Sequence, residues 1–412
     1  MEKRLTPVTS QERIEYMDLL RGIAIFGILV ANLRWFSLYS PDVKGLFSFP
    51  ETDPYIYLLQ HVFIESKFYS IFSLLFGWGI AIQISRSKKD DASTAAFIRR
   101  RLWFMMLLGG IHLFFIWEGD IVFLYGLVGF ILVALRKYSN RTVFITGILL
   151  LLSPVLLYFL KMKWPVLNFP AEYLYHLGEK MYQFFGWIDQ DTSRTGVLSE
   201  SKSIITSVEI TLSDAPYRFA YLFEVSRIPK VLGAMLIGFF IGRTDLYSKM
   251  MKHKKAMFRT TIAGLIVFVP LNYLLEGVLK NEQAYYQFEI EGLVYAIADS
   301  LMVFPQALVY MMALALMFEK KWIKRLLHPV LAVGRTAFSN YVLQSFIGII
   351  TFYRIGFGLA EQFGPLAWTV YAIVVFIFQT IISNVWLKYF RFGPLEWIWR
   401  SLTYRKIQPF IQ

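Results

Sequence analysis

Apolar residues fill ten stretches of the chain, and a helix of roughly 20 such residues crosses the hydrocarbon core of a bilayer. The stretches cover about 18–38, 66–85, 100–117, 119–136, 142–161, 227–243, 257–279, 290–318, 329–353 and 365–389. The pattern therefore predicts an all-α polytopic integral membrane helical bundle with about ten transmembrane helices. No repeat of fixed period divides the chain, so we expect a single integral membrane domain over residues 1–412.

The connections between these stretches alternate in charge. Lys and Arg are concentrated in 86–101, 136–141, 249–259 and 320–325 and at both chain ends, whereas the intervening connections contain few of them. Cytoplasmic loops of membrane proteins carry an excess of Lys and Arg. Both termini are therefore predicted to be cytoplasmic, and residues 390–412 form a cytoplasmic tail.

One connection, residues 162–226, is long and is predicted to be extracytoplasmic. It mixes aromatic and polar residues, which is typical of short amphipathic helices lying at a membrane interface. The stretch PYIYLLQHVFI at 54–64 suits another interfacial helix before the second span.

Composition narrows the possible chemistry. The 412 residues are 56% hydrophobic, and the absence of cysteine excludes disulfides, thiolate metal sites and a cysteine nucleophile. No phosphate-binding Gly-rich loop, two-histidine zinc motif or Gly-x-Ser-x-Gly elbow is present, so we expect no metal site. The net charge of +13 comes from residues at span ends, which points to membrane lipids as partners and not to nucleic acid.

Polar residues recur at helical spacing inside two of the spans. Asp18 and Arg21 are three residues apart, and Asn32 follows Arg21 by eleven residues. Eleven steps return to within about 20° of the starting face of a helix. Arg101 and His112 repeat that spacing, with about 16 Å of rise between them. Each helix therefore carries a polar stripe with an inner cation and an outer polar group.

Two interpretations of these stripes remain open. Arg21 and Arg101 can extend to lipid phosphates and simply set the orientation of the protein. His112 can be only an interhelical hydrogen-bond donor, or it can transfer a proton, because imidazole exchanges protons near neutral pH. Charged residues at membrane depth are costly, which favours a function for them.

Further polar residues lie near the predicted span ends. Lys67 opens the second span, and Glu118 and Asp120 form the corner after His112. The ninth span, GRTAFSNYVLQS, places Asn340 and Gln344 one turn apart. Arg335 is the charged residue of this span and lies near its cytoplasmic end. The further polar residues considered are Glu224, Arg227, Lys230 and Asp299.

Five segments together resemble a known family. They are MDLLRGIAIFGILVAN, KFYSIFSLLFGWGIAI, RRRLWFMMLLGGIHLFFIWEGDIVFLYG, GRTAFSNYVLQS and YFRFGPLEWIWRSLTYR. They resemble the YeiB-like family of uncharacterised bacterial membrane proteins, which implies a multi-pass protein of the bacterial plasma membrane. The family motifs fall here on Asp18, Arg21, Gly22, Asn32, Lys67, Phe68, Gly77, Arg101, His112, Gly119, Asp120, Arg335, Asn340, Tyr341, Gln344, Gly393, Pro394 and Trp397.

The Asp-x-x-Arg-Gly start of the first span is also similar to that of transmembrane acyltransferases. Such enzymes take an acyl group from a cytoplasmic acyl-CoA and deliver it to an acceptor across the membrane. This resemblance implies acyl-CoA as a donor and a hydroxyl or amine acceptor on the outer side.

The first hypothesis is therefore a membrane acyltransferase. His112, oriented by Asp120 or Glu118, would deprotonate the acceptor, and Lys67 or Asn32 would stabilise the oxyanion. The predicted substrate-binding residues are Asp18, Arg21, Asn32, Lys67, Arg101, Arg335, Asn340 and Gln344, and the arginines among them suit donor phosphates.

Two alternatives use the same buried polar groups. The protein can transport a small polar or anionic solute, although no pair of Gly- or Pro-broken helices indicates an inverted repeat. It can also bind a lipid or quinone without turnover. All three hypotheses require a small-molecule partner, and the sequence leaves open whether the protein acts as a homodimer.

Overall fold

A computed structural model of the protein describes residues 14–41, 45–87, 90–188 and 190–412. Its regular secondary structure consists of helices in these ranges. Isolated bridges join Phe47 to Phe363 and Phe390 to Ile411. The prediction of an all-α protein is confirmed. The helices are α1 Glu15–Phe36, α2 Asp53–Phe63, α3 Lys67–Arg86, α4 Asp91–Phe115, α5 Val122–Leu135, α6 Asn140–Lys163, α7 Phe169–Phe184, α8 Gln190–Glu200, α9 Ile204–Glu224, α10 Arg227–Thr244, α11 Leu246–Lys252, α12 Lys254–Leu274, α13 Glu282–Tyr286, α14 Ile290–Phe318, α15 Lys321–Leu327, α16 Val330–Arg335, α17 Ala337–Phe352, α18 Pro365–Tyr389 and α19 Pro394–Tyr404.

Six helical segments of the described chain are long and apolar enough to cross a membrane. A seventh is added if α9 and α10, which meet at a bend of 66°, count as one span. These segments indicate a membrane protein. They are Glu15–Phe36, Asp53–Arg86, Asn140–Lys163, Lys254–Gly277, Ile290–Phe318 and Pro365–Tyr389.

The number of ten spans and the orientation of the termini stay predictions. Helices α5 and α17 have 14 and 16 residues. At 1.5 Å per residue they reach about 21 and 24 Å, which is less than the roughly 30 Å of a hydrocarbon core. These two helices lie within the stretches 119–136 and 329–353, which the apolar pattern predicts as full spans.

Several helices match the apolar stretches closely. The stretches 290–318 and 365–389 coincide with α14 and α18, and the helix predicted at 54–64 is present as α2. The stretch 329–353 differs, because it is broken at Thr336 into α16 and α17. Thr336 has φ −115° and ψ 32°, outside the helical range, and its hydroxyl donates back to the carbonyl oxygen of Ala332 at 2.9 Å.

Glycines allow two pairs of helices to pack backbone to backbone. A Cβ atom on Gly77 of α3 would overlap the carbonyl oxygen of Met235 in α10, and one on Gly238 would overlap that of Leu74. Gly334 of α16 stands in the same relation to the carbonyl oxygen of Asp18 in α1. Small residues at a helix interface permit such close approach. These contacts hold α3 against α10 and α1 against α16.

The long connection at 162–226 folds into α7, α8 and α9, with a short 3-10 turn at Pro165–Asn168. Its buried side forms a small polar core in which the hydroxyl of Tyr182 donates to Asp214 at 2.7 Å. Helices α7 and α8 of this segment are short, whereas α9 extends over 21 residues. Their position relative to the membrane surface stays a prediction.

Candidate functional site

His112 lies in the last turn of α4 and links two other side chains. Its Nδ1 is 2.8 Å from Oδ2 of Asp120, and its Nε2 is 2.9 Å from Oγ of Ser345 in α17. All three side chains belong to residues that are only 1% exposed. The structure therefore contains a buried hydrogen-bonded chain, Asp120–His112–Ser345.

The corner between α4 and α5 folds Asp120 back onto His112. The Trp117 N–H donates to the carbonyl oxygen of His112 at 2.8 Å, and a side chain at Gly119 would overlap the Trp117 ring. Oδ1 of Asp120 accepts the N–H of Phe123, in the first turn of α5, at 2.6 Å. The carboxylate is therefore held from both sides, by the imidazole and by the start of the next helix.

These contacts assign the roles of the two ring nitrogens. A carboxylate only accepts hydrogen bonds, so Nδ1 of His112 carries the proton that Asp120 receives. In a neutral imidazole the lone pair then lies on Nε2, which faces the Ser345 hydroxyl. A carboxylate, an imidazole and a hydroxyl in this order can activate the hydroxyl oxygen as a nucleophile.

Ser345 was not among the residues predicted from sequence. It follows Gln344 directly, but a step of about 100° around the helix turns the two side chains to different neighbours. Gln344 contacts α1 and α18 while Ser345 faces α4. The available signal was a hydroxyl in an apolar helix, and that signal does not identify its partner.

Glu118 does not orient His112. Its Oε1 is 2.6 Å from a guanidinium nitrogen of Arg194 in α8, and Arg194 also contacts Asp214. Burial alone would lower the pKa of Arg194, but the carboxylates of Asp214 and Glu118 raise it well above its ordinary value. Glu118 therefore connects the helical corner to the 162–226 segment.

Arg21 and Arg101 lie near a third arginine that the sequence prediction did not include. Arg21 pairs with Asp18 at 2.9 Å, as the three-residue spacing suggested. The Arg101 guanidinium lies 4.2 Å from the Trp399 ring centre, and it is within electrostatic range of Arg21 and Arg400. Burial lowers the pKa of Arg400, although Tyr404 and Glu396 act in the opposite direction. We call Arg21, Arg101 and Arg400 the arginine group.

Arg335 is exposed at the end of α16, whereas Asn340 and Gln344 are buried in a polar network between α17 and α18. The Asn340 amide donates to Ser383 at 2.9 Å, and that of Gln344 donates to Gln379 at 2.9 Å. Gln344 also reaches the carbonyl oxygen of Ile25 at 3.3 Å. These contacts fix the packing of α1, α17 and α18 next to Ser345.

Lys67 and Asn32 are placed apart from the His112 chain. Lys67 is fully buried and donates to the carbonyl oxygen of His61 at 2.6 Å, with Glu276 and Asp299 as the strongest nearby charges. Asn32 is half-buried on α1. Within the described ranges, no hydrogen bond joins either side chain to His112, Asp120 or Ser345.

A cavity of about 150 Å³ lies at the end of the bundle where α1 ends and α3 and α10 begin. Three of the outer polar residues noted in the sequence meet in its lining, namely Arg227, Lys230 and Asp299. We call it the Arg227 cavity. Lys280 also lines it, and its pKa is raised because Glu65, Glu276 and Glu282 outweigh the lowering effect of burial.

Comparison with known proteins finds relatives along the whole chain. Residues 241–406 match the family model described as "Protein of unknown function (DUF418)". The chain is 29% identical to the uncharacterized protein YxaH of Bacillus subtilis (strain 168), over 98% of each protein. It is 28% identical to the uncharacterized protein YeiB of Escherichia coli (strain K12), over 97% of this chain and 98% of that one. No solved structure matches it significantly.

Proposed function

Since the chain belongs to a YeiB-like family of uncharacterised proteins, we propose its activity from the geometry: it is a membrane acyltransferase. The acyl group would move from a cytoplasmic donor such as acyl-CoA to a hydroxyl or amine acceptor on the outer side. The buried Asp120–His112–Ser345 chain carries this proposal. Burying a polar chain of this kind among apolar helices is costly, which favours a function for it. Acyl transfer uses a hydroxyl nucleophile that an adjacent base activates.

The first half-reaction would acylate Ser345. Nε2 of His112 takes the hydroxyl proton while Oγ attacks the thioester carbonyl, and Asp120 stabilises the imidazolium that forms. The carbon–sulfur bond then breaks, and the thiolate leaves with the proton from His112. The products of this step are an ester on Ser345 and free CoA.

The second half-reaction would regenerate Ser345. The acceptor hydroxyl or amine loses its proton to Nε2 of His112 and attacks the acyl-serine carbonyl. The ester bond to Oγ breaks, and Oγ recovers the proton from the imidazolium. Because all three residues are shielded from solvent, water is kept from hydrolysing the intermediate, and the acyl group has to enter between helices.

The arginine group would hold the phosphates of the donor. Guanidinium groups bind phosphate oxygens in a planar, two-point manner and keep their charge when buried. Arg21 has one carboxylate partner, Asp18, while Arg101 and Arg400 contact aromatic rings. Three cations on the side of the bundle that the charge pattern predicts to be cytoplasmic suit a polyphosphate.

The experiment follows the acyl group itself. The purified protein in nanodiscs is incubated with acetyl-CoA or palmitoyl-CoA, and the peptide containing Ser345 is examined by mass spectrometry while CoA release is measured. We expect an acyl adduct on Ser345 that Ser345→Ala and His112→Ala abolish. Ser73→Ala is the matched control, because Ser73 is also a buried serine, hydrogen-bonded to Tyr125 at 2.7 Å. Unaltered CoA release by the Ser345→Ala protein would refute the proposal.

Transport of a small anionic solute is the second candidate, and the Arg227 cavity favours it. Four cationic residues line that cavity, which is a feature of binding sites for anions. Proteoliposomes distinguish the two functions. A transporter would accumulate a labelled anion without consuming acyl-CoA. Uptake of that anion by the His112→Ala protein would not depend on acyl-CoA either.

A further inference from the structure

The Arg227 cavity is formed by parts of the chain that are distant in sequence. Arg34 comes from the end of α1, Tyr69 from the start of α3, Arg227 and Lys230 from the start of α10, and Asp299 from α14. Polar and aromatic side chains thus meet at one end of the bundle. None of these five residues takes part in the Asp120–His112–Ser345 chain.

The charges in this cavity are unevenly paired. Lys230 is 2.5 Å from Asp299, and Lys280 is 3.3 Å from Glu276 and 3.4 Å from Glu282. The lysines therefore have carboxylate partners. These carboxylates largely neutralise the positive charge of the two lysines.

Arg227 has a different environment. Its guanidinium lies 4.0 Å from the centre of the Tyr69 ring and donates to the hydroxyl of Tyr221 at 3.1 Å. Among the residues that the structure describes, no carboxylate lies within ion-pair distance of it. A guanidinium has five N–H donors, so most of those on Arg227 are left for another acceptor.

Arg34 repeats this arrangement on the α1 side of the cavity. Its guanidinium lies 5.0 Å from the Tyr57 ring centre and 5.4 Å from that of Trp35. Within the described ranges it too has no carboxylate at ion-pair distance. Aromatic faces hold both guanidiniums in place and leave their planar edges available.

We propose that the Arg227 cavity binds a phosphate group, with Arg227 and Arg34 as its ligands. One carboxylate has a single charge and two oxygens, and one arginine satisfies it. Two guanidiniums on opposite elements match the three free oxygens and the roughly −1.5 to −2 charge of a phosphate monoester. The monoester can belong to a small soluble molecule or to a lipid headgroup, and this site does not depend on the acyl-transfer proposal.

The experiment compares probes that differ only in the phosphate. For the full-length protein in detergent, calorimetry measures binding of glycerol 3-phosphate, glycerol and glycerate. Native mass spectrometry measures binding of phosphatidic acid and of diacylglycerol with the same acyl chains. We expect at least one phosphate probe to bind saturably, with an affinity at least tenfold higher than its matched probe without phosphate.

Two variants assign that binding to the cavity. Arg227→Gln should weaken binding of the phosphate probe at least tenfold. Arg243→Gln should change it less than twofold, because Arg243 lies at the other end of α10 and donates to the carbonyl oxygen of Tyr138 at 2.9 Å. If Arg227→Gln fails to fold, Arg34→Gln takes its place, since that side chain is only half-buried.

The outcomes separate cleanly. Selective binding of glycerol 3-phosphate identifies a soluble ligand, selective binding of phosphatidic acid identifies a lipid, and both support the site. Saturable binding of glycerate that is as tight as that of glycerol 3-phosphate, or no selective binding of either phosphate probe, overturns it. Undiminished binding in Arg227→Gln, or in Arg34→Gln where that variant replaces it, overturns it as well.

Discussion

Asp120 accepts two hydrogen bonds from different directions, one from His112 and one from the N–H of Phe123. An asparagine has only one carbonyl oxygen, so it can serve one of these donors and presents N–H groups to the other. If the oxygen stays with Phe123, the amide donates to Nδ1, and the imidazole proton moves to Nε2. His112 would then donate to Ser345 and could not take its proton.

We therefore expect Asp120→Asn to slow acylation of Ser345 by about 10²–10⁴-fold, which is the range that general-base catalysis contributes. The measurement is single-turnover CoA release in nanodiscs, with circular dichroism to verify the fold. Glu118→Gln is the matched control, because Glu118 pairs with Arg194 and not with His112. A normal rate in Asp120→Asn would contradict the assigned role.

Side-chain partners that are close along one chain segment can be predicted from the sequence. The Asp18–Arg21 pair follows from helical periodicity, and Asp120 follows from its position one corner after His112. Ser345 is 233 residues from His112, so its role depends on which faces of α4 and α17 meet. Spacing along the chain contains no information about that contact.

Among the elements, α3 and α10 show how much depends on single glycines. Gly77 faces the carbonyl oxygen of Met235, whereas the nearest atom to a Cβ on Gly79 would be a side-chain nitrogen of Arg21 at 3.7 Å. The two glycines are two residues apart on the same helix. They therefore form a natural comparison.

We expect Gly77→Ala to lower the free energy of unfolding by about 1–3 kcal/mol, because the backbones would have to separate. Gly79→Ala should be neutral or slightly stabilising, since alanine favours helix. The measurement is unfolding in mixed detergent micelles, followed by tryptophan fluorescence. Equal stability of the two variants would show that α3 and α10 do not touch as described.

Helix α19 caps α17 through a buried carboxylate. Glu396 accepts the N–H groups of Phe338 and Ser339 at 2.7 and 3.1 Å, and the hydroxyl of Ser339 at 2.5 Å. Burial raises the pKa of Glu396 above its ordinary value, despite these hydrogen bonds, which act to lower it. A raised pKa means that the folded protein favours the protonated form.

The stabilisation that Glu396 provides should therefore be complete below its ordinary pKa and decrease as the pH rises through its raised pKa. Glu396→Gln removes this dependence and can keep the same contacts, with its oxygen on the N–H groups and its amide on Ser339. Glu396→Ala leaves three donors unpaired and should cost about 1–3 kcal/mol. Unfolding curves across this pH range test both expectations. A Glu396→Gln protein whose stability depends on pH as strongly as that of the wild-type protein would contradict them.

The helices themselves were largely predictable, because apolar runs report burial or lipid contact directly. The exceptions arise from contacts across the fold. The break at Thr336 accompanies capping of α17 by Glu396, and the helices within 162–226 pack on one another around Asp214. Local composition showed amphipathic character in that segment but not its polar core.

Across the whole chain, the alternation of basic and acidic connections predicts the direction in which the protein crosses the membrane. The chain has no cysteine, so single cysteines can be introduced without further changes. Lys202 precedes α9 and Lys252 ends α11, and both are exposed. The charge pattern places the first outside and the second in the cytoplasm.

We expect Lys202→Cys to react with a membrane-impermeant maleimide in intact cells. Lys252→Cys should react only after the cells are permeabilised, because the bilayer shields the cytoplasmic face. Labelling of denatured protein controls for expression of each variant. The opposite pattern, or labelling of both positions in intact cells, would show that the predicted orientation is wrong.

The glycine contacts between α3 and α10 also restrict how a ligand can reach the Arg227 cavity. Both helices begin at that cavity, and the backbone contacts at Gly77 and Gly238 oppose their sliding or separation. We therefore expect entry and exit to involve movement of α13 and the first turns of α14, which contribute Tyr285 and Tyr295 to the lining. One side of the Arg227 cavity is thus held by backbone contacts, and the side that carries Tyr285 and Tyr295 is the one expected to open.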